Sequence, residues 1–169
     1  MTQAIARSSR RQLLIASSAA LSTALIGRAA RADADNAFVH SPWRKLTDSD
    51  WRHRLPGPSY DVLRREGTEF PFSSPLTGEH RRGMFVCFGC GLPLFKSVWK
   101  YDSGTGWPSF YDVIASNIGR KADHKLVAER TEYHCAQCLG HQGHVFPDGP
   151  PPTGLRYCND GVALRFVAS

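Results

Sequence analysis

Nowhere in the 169-residue chain do the roughly 20 consecutive apolar residues that a membrane-crossing helix needs occur together. The run over 13–26 is shorter and is interrupted by Ser17, Ser18, Ser22 and Thr23, so no permanent membrane span is expected. Internal repeats, low-complexity tracts and a glycine-rich phosphate loop are missing too, which sets aside solenoid arrays and P-loop chemistry. Acidic residues are absent from 1–32, a stretch that holds Arg7, Arg10, Arg11, Arg28 and Arg31. Without those five charges the formal +6 becomes +1, and the remainder has no Lys/Arg run interleaved with aromatics. Nucleic acid is therefore not an expected partner.

What is present at the N-terminus is an address. Residues 1–32 carry the Arg10-Arg11 pair, then the interrupted apolar run, then small residues ending in Ala30-Arg31-Ala32, the order of a cleavable signal peptide. The hexad Ser9-Arg10-Arg11-Gln12-Leu13-Leu14 resembles the twin-arginine signal, by which bacteria move already folded proteins across the inner membrane. A periplasmic location follows as an expectation. Residues 33–42, rich in Ala and Asp, read as a flexible leader, and 43–169 as one domain with a modest core.

Within that domain the helical patterning is confined to the start. Thr47 or Asp48 is placed to cap a short helix through Arg54, with Pro56 and Pro58 ending it. A second helix is expected over 59–65, using Tyr60, Val62 and Leu63 as its apolar side and stopping at Gly67. From Gly83 onward short apolar or alternating runs follow, "GMFVC", "PLFKSVWKY", "KLVAERTEYHC", "HVF", "LRYC" and "VALRFV", separated by Gly, Pro, Asn and Asp. They predict a mainly β fold with antiparallel sheets.

Four of the five cysteines come in two CxxC pairs, Cys87/Cys90 and Cys135/Cys138, each followed closely by glycine. A CxxC turn directs two sulfurs at one point, and a second such turn completes a tetrahedron around a metal that accepts soft ligands. Structural zinc is the preferred reading. Two disulfides are the alternative in an exported protein, although a disulfide inside one CxxC closes too short a loop to stabilise much, and pairing across the two motifs stays open. Four thiolates would saturate the metal, which assigns it to structure and not to chemistry.

That leaves Cys158 alone. Near it in sequence stand His141, His144 and Asp148 in "HQGHVFPDGP" and, further back, Trp107 between Gly106 and Pro108 in "SGTGWPSF". A lone thiol, two histidines, an aspartate and a tryptophan supply a nucleophile, acid–base groups and an apolar contact surface. The competing uses are a second metal site of His141, His144 and Cys158, or a peptide-binding zinc-ribbon module in which Cys158 is a bystander.

Five motifs in order, "GTEFPF", "CFGCGLPLF", "DSGTGWPSF", "CLGHQGHVFPDGP" and "GLRYC…ALRF", resemble the methionine-R-sulfoxide reductases of the B type across 43–166. The resemblance implies two antiparallel sheets with short N-terminal helices, a structural zinc on Cys87, Cys90, Cys135 and Cys138, and reduction of the R epimer of methionine sulfoxide in proteins or peptides. It also implies roles. Cys158 would attack the sulfoxide sulfur as thiolate, His141 and His144 would hold water or the sulfoxide oxygen and help deliver a proton, and Trp107 would receive the S-methyl group. Arg156 would favour the thiolate, and Asp148 would support the histidines.

Two departures from that pattern matter. Many relatives carry a resolving cysteine where this chain has Thr105, so a sulfenic acid on Cys158 would need an external, thioredoxin-like thiol for its reduction. The pattern also expects asparagine two residues after the nucleophile, where Asp160 stands with Asn159 one position earlier. A carboxylate there would raise the Cys158 thiol unless it is turned away or paired, for instance with an arginine.

Overall fold

A computed structural model describes residues 34–125 and 129–169; the expected signal over 1–32 lies outside the described residues. Two short helices open the domain. The first, α1, covers Asp48–Arg54, and Thr47 caps it with a reciprocal box: the Thr47 hydroxyl accepts the Asp50 N–H at 3.2 Å, while the Asp50 carboxylate accepts the Thr47 N–H at 2.8 Å. A cap of this kind contributes about 0.5–2 kcal/mol. The second, α2, covers Gly57–Arg65, two residues longer at its start than expected. Pro58 does not end the preceding helix; it lies in the first turn of α2, where its missing N–H costs nothing. The helix ends at Glu66, which adopts the left-handed conformation (φ 56°).

Among the described residues nine strands follow: β1 Gly83–Cys87, β2 Pro93–Lys96, β3 Lys100–Tyr101, β4 Ser109–Phe110, β5 Ile118–Asp123, β6 Arg130–Cys135, β7 His141–Phe146, β8 Arg156–Asn159 and β9 Leu164–Ala168. They form two antiparallel sheets, one of order β2-β1-β9 and one of order β3-β4-β8-β7-β6-β5, as the mainly β reading expected. Of the nine, β4 and β5 are the two that the strand patterning does not reveal.

The sheets meet through aromatic side chains. Phe85 and Phe95 of the small sheet surround Phe110 of the large one: Phe95 stacks on Phe110 at 4.1 Å between centroids, and Phe85 meets it edge-on at 5.0 Å. Tyr133 adds an edge contact to Phe95 at 6.1 Å. All four rings are fully buried, so this apolar surface is a principal term holding the two layers together. The helices cover one side of the large sheet, α2 packing against β7, with Trp51, Tyr60, Val62 and Leu63 buried. Among the described residues no helix is long and apolar enough to cross a membrane. In the segment expected as a leader, residues 34–37 are helical and Asp35 reaches Arg44 and His134.

Candidate active site

The large sheet places the chemistry by register. Glu132 lies opposite His144, His144 opposite Cys158, Cys158 opposite Ser109, and Ser109 opposite Tyr101, so five residues far apart in sequence form one row across five strands. Side chains opposite one another in a sheet share a face, which brings His144 to the nucleophile. Gly143 permits this closeness: a Cβ there would lie 1.9 Å from the Cys158 carbonyl oxygen.

Cys158, Trp107, His144, Arg156 and Thr105 line one cavity of about 280 Å³, together with Thr68, Arg130, Phe146 and Asp160 among others. Trp107 is half-buried, and its indole N–H donates to the Glu69 carbonyl at 3.2 Å. Cys158 is a free, half-buried thiol. Burial pushes its pKa up and the Asp160 charge adds to that, while the Arg156 guanidinium and the Thr105 hydroxyl pull it down without offsetting burial. Thr105 is itself held by Ser103 at 2.8 Å, and Ser103 by Ser109 at 2.7 Å, a short hydroxyl chain that ends at the sulfur.

The two histidines are placed differently. His144 lines the cavity, whereas His141 is buried behind it, the rings 5.4 Å apart. Neither is supported by Asp148. That carboxylate is forked with Arg156 at 2.9 and 2.7 Å, and the histidines are held by two acids that carry no motif in the sequence. Asp123, kept well below the usual carboxylate range by the Lys125 N–H, then by His144 and Arg130, accepts from His144 Nε2 at 2.7 Å. Glu132 accepts from His141 at 2.8 Å and from His134 at 3.1 Å. Its burial would raise it, but the two imidazoles outweigh burial and hold it down at about 2. In the sequence Glu132 stands in "RTEYHC", a strand of mostly polar residues that carries no signal for it.

Asp160 is buried and, among the described residues, paired with no arginine. One of its oxygens accepts the Glu69 N–H at 2.9 Å, and the Glu69 carboxylate accepts the N–H groups of Gly161 and Val162 at 2.6 and 3.1 Å. This two-way clasp fixes the loop whose carbonyl holds Trp107.

The four paired cysteines converge on one point. Cys87 and Cys90 flank the turn after β1, Cys135 and Cys138 the turn between β6 and β7, and their sulfurs all lie within 4.8 Å of one another. The Cys87–Cys138 and Cys90–Cys135 separations are 3.6 and 3.4 Å, near the roughly 3.8 Å edge of a tetrahedron with 2.3 Å metal–sulfur bonds. All four are free thiols. Hydrogen bonding among the sulfurs pushes Cys87 and Cys135 well up and draws Cys138 well down, so holding all four as thiolates at once requires a cation among them. The donor set fits a soft divalent metal. Among the described residues no comparable ligand group forms from His141, His144 and Cys158.

Comparison with known proteins agrees with the geometry. The SelR domain model matches residues 55–168. A protein of Agrobacterium fabrum named peptide methionine sulfoxide reductase MsrB is 46% identical over 129 residues, 75% of this chain and 94% of that protein. One of the same name from Pseudomonas entomophila is 53% identical over 121 residues, 70% and 91% of the two chains. Another from Thiobacillus denitrificans is 48% identical over 121 residues, 71% and 92%.

Proposed function

Because the chain belongs to the SelR-domain family of peptide methionine sulfoxide reductases, B type, we propose that it reduces the R epimer of protein-bound methionine sulfoxide through Cys158. The observation that supports this reading most directly is one cavity that Cys158, Trp107 and His144 line together. The substrate's S-methyl group rests on Trp107, a sulfur–aromatic contact worth about 0.3–1.5 kcal/mol, and the sulfoxide oxygen faces the histidine side. With methyl and oxygen given separate walls, only one epimer presents its sulfur to Cys158.

The Cys158 sulfur attacks the sulfoxide sulfur, and as the sulfur–oxygen bond of the substrate breaks the oxygen passes to Cys158 and the transient sulfur–sulfur bond is released, leaving a sulfenic acid on Cys158. Methionine leaves, reduced by two electrons. Thr105 offers no second thiol and the other four are engaged at the metal site, so an external thioredoxin-like dithiol returns Cys158 to the thiol. Zinc fills the four-cysteine site and stabilises the fold without entering the reaction. A twin-arginine signal over 1–32 delivers the folded, metal-loaded protein to the periplasm.

The test is an epimer-resolved assay with dithiothreitol. The protein should reduce the R but not the S sulfoxide, and Cys158→Ser should abolish activity while retaining bound metal. Activity that survives this substitution would remove Cys158 as nucleophile.

A further inference from the structure

The overall step, thiol plus sulfoxide giving sulfenic acid plus thioether, moves one proton from sulfur to oxygen. Burial keeps the Cys158 thiol protonated, so a base must take that proton and an acid must deliver it. His144 is poorly suited to carry that proton between the two. Its Nε2 donates to the Asp123 carboxylate, which only accepts, and burial lowers its pKa, so the imidazolium formed by taking the thiol proton on the other nitrogen is disfavoured. His141 is buried outside the cavity lining, with Nδ1 committed to Glu132.

One carboxyl group remains in the cavity. Asp160 lies two residues beyond Cys158, 4% exposed and lining the same cavity as Cys158 and Trp107. One of its oxygens is occupied by the Glu69 N–H, and its other oxygen has no hydrogen-bond partner among the described residues. We propose that Asp160 is the acid–base residue of this reductase, taking the Cys158 proton as the sulfur attacks and returning it to the departing sulfoxide oxygen. The proton then ends in the O–H of the Cys158 sulfenic acid, so no further proton, oxidant or reductant enters this half-reaction.

The surroundings tune the group for that task. Burial raises Asp160 to about 6, the Glu69 N–H and His141 oppose this, and the Glu69 carboxylate adds to it. From the neighbouring elements Cys158, His141, Tyr133 and the Glu69 loop face it. A carboxyl near 6 is mostly ionised at neutral pH, ready to accept, and is acidic enough to return the proton.

The assignment rests on Cys158 as nucleophile, and the experiment separates the two. Methionine formed in a single turnover, without reductant, is followed from about pH 5 to 9 in the native chain, in Cys158→Ser and in Asp160→Asn. The amide keeps an oxygen for the Glu69 N–H but cannot cycle a proton. The native chain should show a limb rising with pH through an apparent pKa near 6. Asp160→Asn should lose that limb, be slower by about a hundredfold near neutrality, and recover toward alkaline pH as the thiol ionises unaided. A Cys158→Ser chain that stays active removes the nucleophile and Asp160 with it. An inactive Cys158→Ser together with an Asp160→Asn chain within about threefold of native at every pH removes Asp160 alone. Should the amide variant lose metal or its unfolding transition, the native profile decides, because the absence of a limb near 6 overturns the assignment.

Discussion

At the scale of single residues the site is a contest over the charge on one sulfur. Burial holds Cys158 up, and Arg156 and Thr105 draw it down. Replacing the Thr105 hydroxyl by a methyl group in Thr105→Val removes a donor to the thiolate and one of the two hydroxyl partners of Ser103, which keeps Ser109. The Cys158 thiol should then ionise at higher pH, and its alkylation by iodoacetamide at neutral pH should slow by about tenfold, the equivalent of one pKa unit. An unchanged rate would mean that the hydroxyl does not reach the sulfur. Cys158, Trp107 and His144 were legible in the sequence because each stands in a short motif. Glu132 and Asp123 were not, since each becomes a histidine partner only when β5, β6 and β7 align. Asp148 was misplaced for the related reason that nearness in sequence to His144 counts for less than the fork it makes with Arg156 across the β7–β8 connection.

At the scale of elements the close approach of β7 and β8 decides whether histidine and thiol meet at all. Gly143→Ala would drive a methyl group into the Cys158 carbonyl, and relief requires the two strands to part. The expected cost is about 1–3 kcal/mol or more, read as a lower urea midpoint, with a loss of turnover larger than the loss of folded protein explains. A variant with native turnover and midpoint would show that the strands have slack. The strands with alternating or continuous apolar residues were legible. The two that escaped have physical reasons: β4 is two residues long, and β5, "IGRKAD", is an edge strand whose solvent-facing Lys121 and Ala122 leave no clean alternation. The helix start at Gly57 escaped because a proline that stops one helix is equally suited to the first turn of the next.

At the scale of the whole molecule two devices join the sheets. The first is the ring cluster, where Phe110→Ala should cost about 3–5 kcal/mol, measured by chemical denaturation. The second is the sulfur cluster, whose two turns belong one to each sheet. Chelation under reducing conditions should therefore lower the thermal midpoint markedly without touching Cys158, whereas an unmoved midpoint would deny the metal a structural role.

The same cluster has a consequence in time. Its sulfurs bring together positions 45 and 51 residues apart, so an ion bound there would close loops whose chain entropy is on the order of 4 kcal/mol. A chain closed by a captured ion does not refold by a purely first-order process. Its refolding rate should climb with the free metal concentration until capture is no longer the slow event. A newly made chain in a metal-poor cell would then wait, soft and open to proteases, for an ion to arrive.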